Sequence, residues 1–172
     1  DGQERHRTTF TYDTHSRVTG STIRASVPGR AAKTFTTNIG YLADGRIATQ
    51  SYPAMVNGQR LTVRHEYESN THLPIRLVDD TTNKVLQESK TVGAWGLERQ
   101  TFGNGLTQNI QRSAKTGQIE NICVSGNLAC SVEGADLTQA FSYQYDIHGN
   151  LTSQRNHVQD VVESFQYDQK HR

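Results

Sequence analysis

The chain alternates apolar and polar residues over several short stretches. Residues 141–145, FSYQY, place aromatic side chains at every second position, and residues 84–92, KVLQESKTV, follow a similar pattern. Residues 101–111, TFGNGLTQNIQ, hold two such stretches around a glycine-rich turn. A period of two indicates half-buried strands. The nearest helical candidate, DVVESF at 160–165, is too short to carry a 3.6-residue period. The pattern therefore predicts an all-β chain.

A turn motif recurs at the ends of these predicted strands. At 145–151 the chain reads YDIHGNL, and at 12–18 it reads YDTHSRV with identical spacing. At 167–172 it reads YDQKHR and stops before the next aliphatic position. Because recurrence of this kind is the mark of repeat architectures, the motif governs the prediction of the fold.

Weaker copies fill the interval between the strong ones. The copy at 41–47 keeps the aromatic residue, Gly, Arg and the aliphatic residue but lacks the Asp. The copy at 67–73 has Glu for Asp and no Gly, and that at 112–119 has one inserted residue before its Gly. Where adjacent copies can be identified, they lie 22 to 33 residues apart, and a wider interval separates the copies at 67–73 and 112–119. We therefore expect one repeat segment over 1–172, with units near 12–19, 41–47, 67–73, 112–119, 145–153 and 167–172.

Each copy has the chemistry of a β-hairpin. An Asp side chain can cap backbone N–H groups two or three residues further on. A Gly four residues after the Tyr supplies the positive φ of a tight turn. Such a hairpin cannot bury its own apolar face, so it has to stack on its neighbours, which predicts a curved, solenoid-like antiparallel sheet. The predicted signature positions are Tyr12, Asp13, Arg17, Tyr41, Gly45, Arg46, Tyr67, Gly117, Tyr145, Asp146, Gly149, Asn150, Tyr167 and Asp168.

Composition narrows the possible functions. Hydrophobic residues make up 33% of the chain and the mean hydropathy is −0.71, so a thick core is not expected. The net charge is +1 with both signs interspersed, and no basic stripe suggests nucleic acid. No apolar run is long enough for a transmembrane helix. The chain begins at Asp1 and ends inside a motif, which we interpret as a fragment of a longer protein.

The two cysteines, Cys123 and Cys130, leave two alternatives open. They could close a disulfide across a hairpin whose turn is Gly126-Asn127. They could instead be two reduced, partly buried thiols, which is the simpler expectation and the one preferred here. No further ligand at metal spacing lies nearby.

Catalytic interpretations are weaker than structural ones throughout. Asp13, Asp146 and Asp168 recur at one position of successive units, whereas a catalytic carboxylate is needed once and a turn cap in every hairpin. The seven histidines form no HExxH motif, and no GxSxG elbow is present. We therefore expect no enzyme activity, no metal and no cofactor. Trp95, which lies outside the clear repeats, is the one aromatic residue kept as a candidate for stacking on a sugar ring.

The motif resembles the YD-repeat, or Rhs-repeat, family. YDIHGNLTS and YDTHSRVTGS are similar to its consensus, and TFGNGL resembles its recurrent aromatic-Gly-Asn-Gly turn. The family includes bacterial Rhs and polymorphic toxins, the B and C components of insecticidal toxin complexes, and the shells of teneurins. The middle segment, VGAWGLERQTFGNGLTQ, is more similar to the bacterial sequences than to teneurins.

The resemblance implies a β-sheet ribbon that spirals into a hollow shell around a C-terminal toxin effector. This chain would then be a structural shell segment, secreted or at the bacterial cell surface. Its partners would be the rest of its own shell, the enclosed effector and other toxin-complex subunits. The alternative is an extracellular adhesion module that binds carbohydrate or protein. The self-cleaving core and the effector of such toxins are not among these residues.

Overall fold

The structure, a computed structural model, describes residues 6–27, 29–127, 130–134 and 136–168, and it contains strands and no helix in those ranges. The all-β prediction is confirmed, and residues 161–164 of the nearest helical candidate, 160–165, form a strand. The chain divides into two compact units, Asp1–Leu86 and Gln87–Arg172. In each unit, strands that are neighbours in sequence pair antiparallel.

Six strands lie among the described residues of the first unit. They are β1 (His6–Tyr12), β2 (Val18–Ala25), β3 (Lys33–Tyr41), β4 (Ile47–Ser51), β5 (Thr62–Tyr67) and β6 (Pro74–Asp79). The remaining strands are β7 (Val85–Gly93), which begins at the end of the first unit, β8 (Gly96–Phe102), β9 (Thr107–Arg112), β10 (Ile119–Ser125), β11 (Leu137–Tyr145), β12 (Leu151–Asn156) and β13 (Val161–Ser164).

The pairing register shifts at every described repeat tyrosine that ends a strand. Between Gly40 and Tyr41 the ladder slips by one residue, so that Tyr41 pairs with Ile47 across the turn. The same shift precedes the other three such tyrosines, giving the pairs Tyr12 with Val18, Tyr67 with Pro74 and Tyr145 with Leu151. A β-bulge of this kind changes the direction of the aromatic side chain, so that it no longer follows the up-and-down alternation of side chains along its strand.

Few side chains are buried, as the low apolar content predicts. The buried hydrophobic residues among those described are Val63, Val78, Cys123, Val124 and Ala140. Polar pairs between adjacent strands take the place of a core. The Ser21 and Thr37 hydroxyls lie 2.7 Å apart, and the Gln100 amide joins Gln87 on one side to Gln108 on the other. Contacts of this type stabilise a sheet by a few tenths to about 1 kcal/mol each.

The preference for reduced cysteines is wrong. Cys123 and Cys130 form a disulfide, with their Cα atoms 6.1 Å apart, a separation that a disulfide readily spans. Gly126-Asn127 is not a two-residue hairpin turn either, since Ser125 pairs with Leu137 and residues 126–136 form a longer connection. Cys130 therefore lies in that connection, not on a returning strand. The seven-residue spacing of the two cysteines does not decide between a disulfide and free thiols, because the position of Cys130 depends on the length of the connection between β10 and β11.

Candidate functional site: the repeat turns

Asp13 and Asp146 cap their turns through equivalent bonds. Oδ1 of Asp13 accepts from the backbone N–H groups of His15 and Arg17, at 2.8 and 2.9 Å. Oδ1 of Asp146 accepts from the N–H groups two and four residues on, both at 2.9 Å. Each turn is closed by a backbone bond from the Asp N–H to the carbonyl four residues later. The carboxylate is thus committed to the backbone of its own turn.

The same bonds lower the pKa of both carboxyl groups. The backbone N–H of Arg17 does most to hold the pKa of Asp13 below its ordinary value, followed by the Arg17 guanidinium and the N–H of His15. For Asp146, the side-chain amide of Asn150 does most to lower the pKa, followed by the Asn150 and His148 backbone N–H groups. A general acid at neutral pH needs the opposite shift. The electrostatics suit caps that are ionised at neutral pH.

The fifth residue of the motif takes a left-handed conformation. Gly149 has φ 87° and Gly45 has φ 90°, a region in which a Cβ is strained. Ser16 occupies the same place in the first motif with φ 61°, although it is not glycine. The turn geometry is therefore conserved between copies even where its preferred residue is replaced.

The copy at 41–47 restores its missing carboxylate from another position. Asp44, two residues after the expected place, accepts from the N–H of Arg46 at 3.1 Å and pairs with its guanidinium. The Arg46 side chain does most to lower the pKa of Asp44. Sequence reasoning missed Asp44, and the signal that could have found it is an Asp directly before the Gly-Arg pair.

The copy at 67–73 has one residue more than its sequence alignment assumed. Glu68 accepts from the N–H groups of Asn70 and Thr71, and the positive φ falls on His72 at 60°. Tyr67 consequently pairs with Pro74, so the alignment of Leu73 with the aliphatic position is wrong by one residue. No sequence signal marks the longer turn, because this copy has no Gly at the position with positive φ.

The copy at 112–119 has the longer turn that its sequence indicates. The N–H of Gly117 donates to the Ser113 carbonyl, and Gly117 has φ 74°. Arg112 takes the place of the repeat tyrosine, opposite Ile119, and its Nη1 donates to the Gly117 carbonyl at 3.1 Å. A further turn of this longer type, not expected from the sequence, runs from Asp79 to Lys84.

The repeat tyrosines tie each motif to the one before it. The Tyr41 hydroxyl donates to the Val18 carbonyl at 2.8 Å, and the Tyr67 hydroxyl donates to the Ile47 carbonyl at 2.8 Å. In the second unit, the hydroxyls of Tyr145 and Tyr167 donate to the carbonyls of Ile119 and Leu151, at 3.0 and 2.8 Å. Every acceptor is the first residue of the strand that leaves the preceding turn. The sequence signal for this bond is that the motif has Tyr, which carries a hydroxyl donor, and not Phe, which does not.

Arginine completes the junction in the first unit. The Arg17 guanidinium lies 4.4 Å from the Tyr41 ring centre, and that of Arg46 lies 4.3 Å from the Tyr67 ring centre. Nε of Arg17 also lies 2.7 Å from the Asp13 carboxylate. A cation over an aromatic face contributes about 0.5–1 kcal/mol at exposed sites. Asp, Arg and the next Tyr thus form one continuous contact between successive turns.

The second unit has an asparagine at the motif position that arginine occupies in the first unit. Asn150 stands where the first unit has Arg, and its Nδ2 donates to the Asp146 carboxylate at 2.8 Å. Asp168 is described but the rest of its motif, 169–172, lies outside the described residues.

Trp95 packs on a repeat turn. It lies in the tight connection between β7 and β8, where its Nε1 donates to the Ala114 carbonyl at 3.4 Å. Its ring covers Gly117 so closely that a Cβ added there would lie 2.6 Å from the ring carbons. The side chain remains half exposed. Sugar stacking at Trp95 stays a prediction, limited to the part of the ring that Gly117 does not cover.

Within the described residues, no group of three His, Cys, Asp or Glu side chains is arranged to hold a metal ion. No helix in this part of the chain could cross a membrane. A contact that the sequence did not reveal joins Ser142 Oγ to His157 Nε2 at 2.9 Å.

The fold is similar to that of Tc toxin assemblies. A TcdB2–TccC3–Cdc42 complex matches with a TM-score of 0.66 at 18% identity over 95% of this chain. A Photorhabdus luminescens Tc holotoxin pore matches with a TM-score of 0.62 at 19% identity over 87% of this chain. The chain spans 9% and 7% of the length of those two chains. No protein-family model and no curated protein sequence matches. The class shown is an all-β chain of antiparallel strands, whose fold is similar to a segment of Tc toxin components.

Proposed function

We propose that this chain is a structural segment of a toxin-complex or Rhs-type shell, which encloses a C-terminal effector and assists its delivery. The observation that carries the proposal is the series of tyrosine hydroxyl bonds from one turn to the strand that leaves the preceding turn. Such bonds extend a sheet unit by unit and are independent of any reacting group. The fold likeness to Tc toxin components supports the same assignment.

The proposal gives the signature residues structural roles. Tyr joins successive units, Asp and Asn or Arg fix the turn, and Gly supplies its left-handed residue. The partners are the remaining shell repeats, an enclosed effector and other subunits of a toxin complex, in a secreted or surface-bound bacterial assembly. None of these residues acts as a catalyst.

The experiment uses the complete polypeptide that contains these residues. We would remove one hairpin, residues 137–156, and measure protease resistance of the downstream region together with toxicity. Both should fall if the hairpin is part of an enclosing wall. A matched control replaces the surface residue Ile147, at the tip of that hairpin, with Ser and should leave both unchanged. Full protection and full toxicity after the deletion would contradict the shell function.

A second candidate, an adhesion module that binds carbohydrate, rests on Trp95. Its ring is half exposed beside a turn, and aromatic rings of this kind can stack on sugars. A glycan array probed with the wild-type protein and with Trp95→Ala tests it. Retention of a glycan that the variant loses would support adhesion, and no retention by the wild type would reject it.

The absence of enzyme activity is tested at Ser142 and His157. Their 2.9 Å contact has the spacing of a nucleophile and a base, but a hydrolase also needs an oriented base and oxyanion donors. We expect no hydrolysis of p-nitrophenyl acetate above that of the Ser142→Ala variant. A faster rate in the wild type would reject the purely structural assignment.

A further inference from the structure

The outer strand of the first unit, β1, is exposed along its whole length. All seven of its residues are exposed, and within the described part of the chain it pairs only with β2. One row of its backbone N–H and C=O groups therefore has no strand beside it. Such an edge can take up a further strand, because its unpaired groups act as a template for pairing.

Strands β3 and β5 show what the equivalent strands of this unit have at that edge. Each pairs antiparallel with the strand before it, β3 with β2 and β5 with β4. Tyr41 and Tyr67, at the ends of β3 and β5, donate to the carbonyls of Val18 and Ile47. Tyr12, at the end of β1, is 60% exposed and has no such acceptor within the described residues. The occupant that fits the edge of β1 is therefore a further antiparallel strand of the sheet.

Two arginines on one face of this edge lack a counter-ion. Arg7 on β1 is directly opposite Arg24 on β2, so their Cβ atoms lie about 4.5–5.5 Å apart on the same face. Neither guanidinium makes an ion pair or a hydrogen bond within the described residues. Strands β1, β2 and β3 contain no Asp or Glu. Because like charges opposite each other repel, a carboxylate beside Arg7 would stabilise this part of the sheet.

The opposite face of the same edge is apolar. Phe10, Ile23 and Phe35 are 53%, 37% and 41% exposed. Ile23 pairs with Phe35, and Phe10 and Ile23 stand an odd number of residues from the arginines of their strands, so this group lies on the other face of the sheet. A strand added beside β1 presents alternate side chains to both faces.

We propose that the edge of β1 pairs with a further strand of the sheet in which acidic residues alternate with apolar ones. The carboxylates of that strand lie on the face of Arg7 and Arg24, and its apolar side chains lie on the face of Phe10. The inference rests on the proposed function, because it gives the chemistry of the neighbouring shell strand.

Other anionic partners fit this edge less well. A lipid surface contacts one face of a sheet, whereas the arginines and the exposed apolar side chains of β1–β3 lie on different faces. Single-stranded nucleic acid needs aromatic side chains beside the cations, on which its bases stack. Phe10 and Phe35 lie on the face away from the arginines. A strand is the partner that contacts both faces at once.

The test measures binding of dye-labelled, end-capped peptides to the 172-residue chain by fluorescence anisotropy. The peptide TEVEVET has the proposed alternation, TQVQVQT and TKVKVKT replace its acidic residues, and TEEEVVT keeps its composition without the alternation. We expect TEVEVET to bind about tenfold more tightly than each of the other three, because it alone places carboxylates beside the arginines and apolar side chains beside Phe10. Hydrogen exchange of residues 6–12 should slow when it binds, and exchange of residues 151–156 should not.

Charge reversal gives a second test. Arg7→Glu should exchange the preference, so that TKVKVKT binds more tightly than TEVEVET. The double variant Arg7→Gln with Arg24→Gln should bind TEVEVET about tenfold more weakly than the wild type does. Arg155→Gln, in β12 of the second unit, removes the same charge elsewhere and should bind as the wild type does.

Equal binding of the four peptides by the wild type would overturn the proposal, and so would binding that leaves exchange of residues 6–12 unchanged. Both measurements use the wild type, so they do not depend on the folding of a variant. Binding of phosphatidylserine vesicles or of a single-stranded oligonucleotide in place of TEVEVET would also overturn it. These outcomes leave protease protection of the downstream region, which tests the shell function, unaffected.

Discussion

The Tyr41 hydroxyl donates to the backbone carbonyl of Val18, 23 residues earlier, across 2.8 Å. Val18 is the first residue of the strand that leaves the preceding turn, and Arg17 beside it covers the Tyr41 ring. One tyrosine thus contacts both the backbone and the side chain of the neighbouring motif. This geometry explains why the motif has a phenol where a simple aromatic residue would suffice to pack.

Removing the hydroxyl should weaken the fold without creating a cavity. We expect Tyr41→Phe to lower the free energy of unfolding by about 0.5–1.5 kcal/mol, because the Val18 carbonyl loses its donor while the ring stays in place. Urea denaturation followed by fluorescence measures the change. Tyr12→Phe is the matched control, since Tyr12 is 60% exposed and its hydroxyl has no partner within the described residues. Equal losses in the two variants would show that the bond to Val18 contributes nothing.

A β-branched residue at the fifth motif position should strain the turn. Gly149 has φ 87°, and a Cβ there would lie 3.2 Å from Nε2 of Gln118. We expect Gly149→Val to cost about 1–3 kcal/mol, measured as a lower midpoint of thermal unfolding. Gly126→Val is the control, because Gly126 has no positive φ and no atom close to the added Cβ. An unchanged midpoint for Gly149→Val would mean that this residue does not form the turn.

The hairpins at 12–18 and 145–151 could be predicted because their causes are local. Asp146 caps groups two and four residues away, and Gly149 relieves strain at its own backbone. Local causes leave a fixed spacing in the sequence. The alternation of FSYQY is local in the same sense, and it correctly predicts a strand.

What escaped prediction depends on partners distant in sequence or on alternatives of similar energy. Asp44 accepts from the N–H of Arg46, two residues later, and Asp13 accepts from that of Arg17, four residues later. The lack of an Asp directly after Tyr41 therefore did not mean that this turn lacks a carboxylate cap. His72 can adopt the left-handed conformation, at a modest cost, so the longer turn needs no Gly. Predicting the disulfide would have required the length of the connection between β10 and β11, which cannot be read from the spacing of the two cysteines.

Ser16 offers a gain in stability. Its φ of 61° strains any residue with a Cβ, and the aligned residues Gly45 and Gly149 avoid that strain. We expect Ser16→Gly to raise the free energy of unfolding by a few tenths to about 1 kcal/mol, the strain relief exceeding the greater entropy of glycine in the unfolded chain. Ser16→Ala keeps the Cβ and should bring no gain. If alanine stabilised the protein as much as glycine, the left-handed conformation would not be the cause.

Acid should weaken the turns through their carboxylates. Hydrogen bonds, first from the Asn150 side chain, lower the pKa of Asp146 in the folded protein below its ordinary value of 3.8. The unfolded chain therefore takes up the proton at a higher pH than the folded one does, and protonation favours unfolding. The contribution of the charge is complete above about pH 5 and is lost as the pH falls through 3.8 and then through the lower folded pKa.

The variant Asp146→Asn does not titrate, and its amide oxygen can still accept from the two backbone N–H groups. Its NH2 group cannot accept from Asn150 Nδ2, but the loss of that bond is independent of pH, so the pH dependence of the stability difference reports the charge. We expect the wild type to be more stable than Asp146→Asn at pH 7, and the difference to shrink steadily as the pH falls below 4. Thermal unfolding of both proteins at matched pH and salt measures it. Asp13, whose pKa is lowered first by the Arg17 N–H, should behave in the same way. A difference that stays constant down to pH 2 would show that the turn requires the oxygen atom of the side chain and not its charge.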